Sequence, residues 1–168
     1  KRQHQCIILD NDQVKCWGFN NVGQTGYETN QSQGNTGDET GDAHPYVNMG
    51  TGRTAKMLSA GYYHTCALLD NDKIKCWGDG AQGQLGNGST ARRGDGAGEM
   101  GDTLPYVILD SADKPLRIYG GYYYNCAVME SNDIKCWGYN AYGQLGQKHR
   151  YNVGADPLSM GSNLPTTY

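Results

Sequence analysis

The six cysteines are the residues of this sequence whose type and spacing are best suited to chemistry. Nine residues separate the two members of each pair, which are Cys6 and Cys16, Cys66 and Cys76, and Cys126 and Cys136. Clustered metal sites use shorter spacings such as Cys-x2-Cys, so we expect no metal site. Cysteine pairs that recur at equivalent positions indicate disulfide bonds, which persist in oxidising compartments. The cysteines therefore predict an extracellular or cell-surface protein.

Two pairing schemes are considered for these cysteines. Bonding within each pair closes a short loop in every copy, which stabilises a folded chain by about 2–3 kcal/mol. Bonding between neighbouring copies, for example Cys16 with Cys66, is the alternative. The equivalence of the three pairs favours the first scheme, and both schemes require an oxidising compartment.

Two sequons agree with that compartment. Asn30-Gln31-Ser32 and Asn87-Gly88-Ser89 match the Asn-x-Ser/Thr pattern for N-glycosylation, and both fall in or near polar segments. We therefore expect covalent glycans at Asn30 and Asn87.

Tyrosines form a second group of candidate site residues, since the chain has 13 Tyr and only 1 Phe. Tyrosine suits half-wet surfaces, because its ring packs while its hydroxyl keeps a polar partner. The clusters either pack at turns between repeats or stack on sugars or a partner protein. The candidate contact residues are Tyr62, Tyr63, Tyr122, Tyr123 and Tyr124, with Tyr139 and Tyr142 as a further pair.

Catalytic patterns are missing from the sequence. It contains no Gly-x-Ser-x-Gly elbow, no paired-acid motif and no phosphate-binding loop. Its Gly-Asp steps lack the alternating carboxylates of calcium loops. We expect no catalytic residue and no cofactor, and hence no enzyme.

A period of 60 residues, without insertion or deletion, organises the whole chain. Each cysteine pair is followed by Trp-Gly. Every copy then carries a Gly-Gln-x-Gly segment, at 23–26, 83–86 and 143–146. Such a period is the signature of a propeller or solenoid array. We assign residues 1–60 to repeat 1, 61–120 to repeat 2 and 121–168 to repeat 3.

Short strands are predicted within each repeat, and repeat 2 gives the cleanest pattern. One strand covers 55–60, and a hairpin follows with strands at 65–69 and 73–77. Asp70-Asn71-Asp72 forms its turn, because Asp and Asn tolerate the backbone geometry of tight hairpins. A last extended segment at 104–107 closes the unit.

The hairpin parity predicts a sheet with two apolar faces. With a three-residue loop, Cys66 faces Cys76 and Leu68 faces Ile74, so these four side chains share one face. The other face carries Ala67, Leu69, Lys75 and Trp77. Because both faces carry apolar groups, we expect each sheet to stack between two neighbours.

The motif around this hairpin resembles a known repeat. It reads Gly61, then His64 to Asp70 as HTCALLD, then Lys75 to Gly78 as KCWG and Gly83 to Gly86 as GQLG. This pattern resembles the regulator-of-chromosome-condensation repeat family over the whole chain. The resemblance implies a propeller of four-stranded blades, commonly seven.

Further segments resemble one subtype of that family, found in large surface proteins of protists and some bacteria. They are residues 50–56 and 92–107. Arg93-Gly94-Asp95 spells an integrin-type tripeptide, but it belongs to the subtype pattern, so we interpret it as a turn with a local Arg–Asp pair.

We therefore expect an all-β fold of three tandem four-stranded blade-like repeats, either an open array or a segment of a propeller or superhelical stack. Repeat 1 lacks its first strand, and repeat 3 ends about twelve residues before a full period. The ends are complementary in register. Either the chain continues with further repeats, or copies of it join head to tail, a contact that builds filaments unless it closes.

Charge and hydropathy exclude two classes of partner. The net charge of −3 offers no footprint for nucleic acid, and no apolar run approaches the ~18 residues of a membrane span. The favoured function is a non-enzymatic extracellular structural repeat protein, a glycosylated building block of a filament or surface appendage. The alternative is a secreted propeller-type module that binds protein or carbohydrate. Nucleotide exchange on chromatin, implied by some family members, disagrees with the cysteine pairs.

Overall fold

Three antiparallel sheets follow one another along the chain in the computed structural model, which describes residues 3–39 and 41–167. The first sheet contains β1 (His4–Ile8) and β2 (Val14–Gly18). The second contains β3 (Ala55–Ala60), β4 (His64–Leu69) and β5 (Ile74–Gly78). The third contains β6 (Pro115–Gly120), β7 (Tyr124–Met129) and β8 (Ile134–Gly138).

The other regular elements are short 3-10 helices in the polar loops, at Gly37–Glu39, Gly41–Ala43, Gly101–Thr103 and Pro157–Ser159. No α-helix occurs in the described ranges, so the all-β expectation is confirmed. No helix in this part of the chain is long and apolar enough to cross a bilayer. Lys1, Arg2 and Tyr168, at the outer bounds of the assigned repeats, lie outside the described residues.

The all-β repeats are confirmed, but the expected fourth strand does not form a regular strand: in repeats 2 and 3 the closing segment makes one isolated bridge to the last strand. In repeat 2 this bridge joins Tyr106 to Lys75, beside a hydrogen bond of 2.8 Å from Val107 N to Ile74 O. Pro105 has no N–H to donate, so the segment cannot extend its pairing towards its N-terminal side. The sheets therefore have two or three strands.

The predicted hairpin register is confirmed. Cys66 pairs with Cys76 and Leu68 with Ile74 across β4 and β5. Asp72, the last loop residue, has φ of 58°, and its N–H donates to Leu69 O at 3.1 Å. A short polar side chain at this position tolerates the left-handed backbone that closes the turn.

Stacking of the sheets creates two hydrophobic clusters, one at each junction between repeats. Trp77 of repeat 2 is fully buried in a cluster with Val14 and Cys16 of repeat 1. Trp137 of repeat 3 is fully buried in a cluster with Leu68 of repeat 2. Each tryptophan thus inserts into the preceding repeat, and strands β4 and β5 of the middle sheet are buried on both faces, whereas β3 is partly exposed.

Hydrogen bonds fix the angle at which the repeats stack. The carbonyl oxygen of Gln24 accepts from Thr65 Oγ1 at 2.8 Å and from Trp77 Nε1 at 3.1 Å, both in the next repeat. The second junction has the same two bonds, of 2.8 and 3.1 Å, at Gln84 O from Asn125 Nδ2 and Trp137 Nε1.

Candidate functional site

The cysteines form one disulfide within each hairpin. The Cα atoms of each pair are 4.1 Å apart, in Cys6–Cys16, Cys66–Cys76 and Cys126–Cys136. None of the described cysteines is free, and no bond joins neighbouring repeats. The sulfur bridges lie inside or beside the hydrophobic clusters, so their place is structural.

The two sequon asparagines differ in access. Asn30 is exposed, and its Oδ1 accepts only from the neighbouring Gln31 Nε2, at 3.0 Å. Asn87 is half-buried, and its Nδ2, the atom that would carry a glycan, is buried without a hydrogen bond. In the folded chain the side chain of Asn30 is therefore open to solvent, whereas the amide nitrogen of Asn87 is not.

Arg93-Gly94-Asp95 forms a turn, but its arginine pairs with Glu99 rather than with Asp95. Arg93 NH1 lies 3.8 Å from Glu99 Oε1. Glu99 Oε2 accepts from the backbone N–H groups of Gly94, Asp95 and Gly96 at 3.0, 3.2 and 2.9 Å. Gly94 is buried, and a Cβ on Gly23 of repeat 1 would collide with its backbone. This tripeptide is a junction between repeats.

Other polar side chains of the sequence also serve the junctions. His4 Nε2 lies 2.8 Å from Thr65 Oγ1. Lys75 is buried, and its Nζ donates to the carbonyls of Met49 and Gly101 at 3.1 and 2.7 Å. Burial holds the pKa of this ammonium group below its usual value. The nearby phenol of Tyr106 and carboxylate of Asp102 oppose this shift without cancelling it. No group of three or more metal-ligating side chains converges in the described ranges.

Aromatic rings from all three repeats meet on one surface, which we call the tyrosine strip. Its neighbouring ring centroids are separated by 6.3, 6.1, 6.4 and 6.1 Å, in the order Phe19, Tyr63, Tyr123, Tyr139 and Tyr142. Beside it, Tyr62 stacks on Tyr122 with centroids 4.2 Å apart. Each of these two also makes an edge contact with its sequence neighbour, Tyr63 or Tyr123.

Most of the predicted tyrosines lie on this surface, whereas Tyr124 is partly packed into the interior. Tyr62, Tyr63, Tyr122 and Tyr123 are brought together with Tyr139 and Tyr142. Tyr124 packs partly against the second cluster, and its ring lies over Gly121, where a Cβ would overlap it. Phe19 was not predicted. It occupies the same repeat position as Tyr139, which is the sequence signal that could have found it.

A groove of about 460 Å³ opens at the repeat 3 end of the strip. It is lined by Gln82, Tyr122, Tyr123, Tyr124, Tyr139, Tyr142 and Gln144. Tyr142 is 84% exposed and Tyr122 is 54% exposed. Desolvation, together with the neighbouring Tyr62, raises the pKa of Tyr122 to about 12.

Comparison with known proteins finds two segments of the chain that match a known repeat. Residues 58–84 and 117–144 match the model of the Regulator of chromosome condensation (RCC1) repeat. Two segments of the chain are thus similar to the RCC1 repeat. The matched segments contain the second and third hairpins and end at Gln84 and Gln144, and they include Tyr122, Tyr139 and Tyr142 of the strip and groove.

Two curated relatives align with nearly the whole chain. Probable E3 ubiquitin-protein ligase HERC6 of Homo sapiens is 24% identical over 160 residues, which are 95% of this chain and 14% of that protein. X-linked retinitis pigmentosa GTPase regulator of Mus musculus is 29% identical over 153 residues, 90% of this chain and 14% of that protein. The chain thus spans about a seventh of the length of these relatives.

Two solved structures share the fold. Human WBSCR16 superposes with a TM-score of 0.70 at 16% identity, over 92% of this chain and 37% of that one. Yeast RCC1 (Prp20), solved bound to Kap60, superposes with a TM-score of 0.62 at 14% identity, over 92% and 34%. These likenesses support the propeller-type stacking of the RCC1 repeats.

Proposed function

We propose that this chain is a non-catalytic, extracellular repeat module that binds a protein partner through the tyrosine strip. The observation that carries the proposal is the continuous row of rings contributed by all three repeats. A single exposed aromatic residue needs no explanation, whereas a contiguous patch marks an interaction surface. Tyrosine is enriched at protein interfaces, since it buries much area and loses little conformational entropy.

The disulfides and Asn30 support the extracellular part of the proposal. Three intact cysteine pairs are compatible with an oxidising compartment, and the exposed sequon asparagine would be available there for a glycan.

Site-specific photo-crosslinking tests the binding surface. A photoreactive phenylalanine analogue replaces Tyr142 in one sample and Tyr151 in the other, and the disulfide-intact chain is exposed to its native surroundings. Tyr151 is the matched control, because it is 80% exposed but does not line the groove. We expect one protein to be attached at position 142 and not at 151. Equal labelling at both positions, or none at 142, would overturn the proposal.

A second candidate is the structural one, in which repeats of different molecules stack head to tail into a filament. Trp77 and Trp137 are buried against the preceding repeat, whereas half-buried Trp17 lines an open cavity of about 500 Å³. At the opposite end, a Cβ on Gly143 would meet no described atom within 4 Å, although a Cβ on Gly83 would meet the following repeat. The Trp17 face and the Gly143 face are therefore equivalent to the two faces that pack together at each junction between repeats.

Sedimentation velocity and electron microscopy of the disulfide-intact chain test this candidate. Head-to-tail stacking predicts oligomers that grow with concentration. These oligomers should disappear in the Trp17→Ala variant, and because Trp17 is only half-buried in the single chain, this substitution leaves the fold intact. A monomer at every concentration would contradict it and leave the binding proposal in place.

A further inference from the structure

We propose that the stacked rings of Tyr62 and Tyr122 are a site of oxidative modification, at which a one-electron oxidant of the peroxidase class joins them into dityrosine. The new bond ties repeat 2 covalently to repeat 3. It is a property separate from partner binding at the tyrosine strip and does not depend on it. Three features of the pair carry the proposal: the way the rings stack, the contacts that hold them, and their access to solvent.

The stacking of Tyr62 on Tyr122 differs from every other contact between described tyrosines. Their ring centroids are 4.2 Å apart, and their planes are inclined by 22°. The other tyrosine contacts are tilted or edge-on, at angles from 32° to 86°. The hydroxyl of Tyr62 is among the groups that raise the pKa of Tyr122, so the two hydroxyls lie at the same end of the stack. The ring carbons next to the hydroxyls, which are the atoms that dityrosine joins, are therefore neighbours.

Backbone and ring contacts hold this stack in place. Tyr62 N donates to Tyr122 O at 3.2 Å, which fixes the two turns relative to each other. Tyr63 meets the ring of Tyr62 edge-on, with centroids 4.5 Å apart, and Tyr123 meets the ring of Tyr122 in the same way at 4.6 Å. Two groups held side by side react with each other far faster than with a group on another molecule. A radical on one ring therefore finds its partner within the same chain.

The pair keeps access to solvent inside the array. Tyr122 is 54% exposed, and Tyr62 is half-buried. Tyr62 belongs to the middle repeat and has a repeat on either side, so its access is not a consequence of a free end of the array. An oxidant can therefore reach both phenols of the stack.

The reaction balances with hydrogen peroxide as the final oxidant. Each phenol loses one electron and one proton and becomes a phenoxyl radical. The peroxidase passes both electrons to one molecule of hydrogen peroxide, which takes up both protons and leaves as two molecules of water. The radicals join through one ring carbon of each residue, next to the oxygen. The hydrogen on each joined carbon then moves to its phenol oxygen as a proton, which restores both aromatic rings.

Peroxidase treatment of the dilute, disulfide-intact chain tests the inference, followed by peptide mapping and gel electrophoresis. We expect dityrosine fluorescence in a chain that stays monomeric, and linked peptides that contain positions 62 and 122 and have lost two hydrogens. Tyr62→Phe and Tyr122→Phe keep a ring in the stack but remove its phenol, so the link within the chain should fall at least about tenfold. Tyr142→Phe and Tyr151→Phe are the matched controls, because these residues are 84% and 80% exposed but have no stacked tyrosine. Neither control should change the yield.

The link should also stabilise the junction between the two repeats. It closes a loop of one whole repeat in the unfolded chain, so the midpoint of thermal unfolding should rise by about 10 °C in the native chain and not in Tyr122→Phe. Near-ultraviolet circular dichroism shows that each variant keeps its tertiary packing. Three outcomes would overturn the inference: mainly intermolecular product, a link between Tyr123 and Tyr139 as frequent as that between positions 62 and 122, or equal yields in Tyr122→Phe and Tyr151→Phe.

Discussion

His64 of repeat 2 meets Asn125 of repeat 3 across their junction, with imidazole Nε2 3.0 Å from amide Oδ1. Asn125 Nδ2 then donates to Gln84 O at 2.8 Å. At the first junction the same bonds are made by a hydroxyl, since Thr65 Oγ1 lies 2.8 Å from His4 Nε2 and donates to the equivalent carbonyl. Two chemically different side chains therefore fill one role.

Replacing Asn125 tests how much this relay stabilises the stack. Asn125→Ala removes both bonds of a buried side chain, so we expect the free energy of unfolding to fall by about 1–3 kcal/mol. Urea denaturation followed by tryptophan fluorescence measures it. Asn125→Thr is the matched control, because threonine makes both bonds at the first junction. An equal loss in the two variants would show that the bonds do not stabilise the junction.

Substitutions at Gly83 and Gly143 distinguish two effects on stability, the strain of a positive φ and the close approach of the next repeat. Their φ angles are nearly equal, 80° and 77°, but a Cβ on Gly83 would lie 2.6 Å from Val153 O, while one on Gly143 would meet no atom of the described residues within 4 Å. Gly143→Ala should lower the free energy of unfolding by about 1–2 kcal/mol. Gly83→Ala should lower it by about 1–3 kcal/mol more, because the repeats must move apart. Thermal denaturation of the two variants decides whether the difference exists.

The Cys66–Cys76 disulfide is expected to stabilise the middle repeat. Replacing both cysteines by alanine should lower the free energy of unfolding by about 2–5 kcal/mol, because the short loop is no longer closed in the unfolded chain. Denaturant titration of the purified chains measures this loss. Peptide mapping without reductant should recover the two cysteines in one linked pair, and recovery as free thiols would remove the argument for an oxidising compartment.

Tyr27 should make stability depend on alkaline pH. Burial raises the pKa of Tyr27 from 10.0 to about 12, partly offset by the bond that its hydroxyl accepts from Cys16 N. The folded chain then holds this proton more tightly than the unfolded chain. The resulting stabilisation is complete below pH 10.0 and lost as the pH rises to about 12. Comparing unfolding of the native chain and Tyr27→Phe across this range should show a difference that shrinks with pH; a constant difference would contradict the shift.

Asn30 and Asn87 should differ as glycan acceptors. Expression in a secretory host is expected to give one N-glycan per chain, removed by Asn30→Gln and unaffected by Asn87→Gln, because Asn87 Nδ2 is buried in the folded chain. Intact-mass measurement before and after enzymatic deglycosylation distinguishes the two sites. Occupancy of Asn87 would show that modification precedes folding of this loop.

The local sequence pattern by itself determined the hairpin and the disulfide that closes it. The period of two and a three-residue turn require Cys66 to face Cys76, and the structure has this pairing. A positive φ at Asp72 is likewise a property of the turn sequence. These features depend on neighbours along the chain, so no distant contact was needed to predict them.

Stacking decided what local pattern could not. Arg93 forms its ion pair with Glu99 rather than with the predicted Asp95. The expected fourth strand is reduced to one bridge at Tyr106, next to Pro105. Both outcomes depend on which groups the folded loop brings within reach. The tyrosine strip is of the same kind. Phe19 and Tyr63 lie in different repeats, and only the angle set by the buried tryptophans brings their rings to 6.3 Å. The repeating sequence therefore determined the units, and the tertiary packing between units determined the surface that we propose for binding.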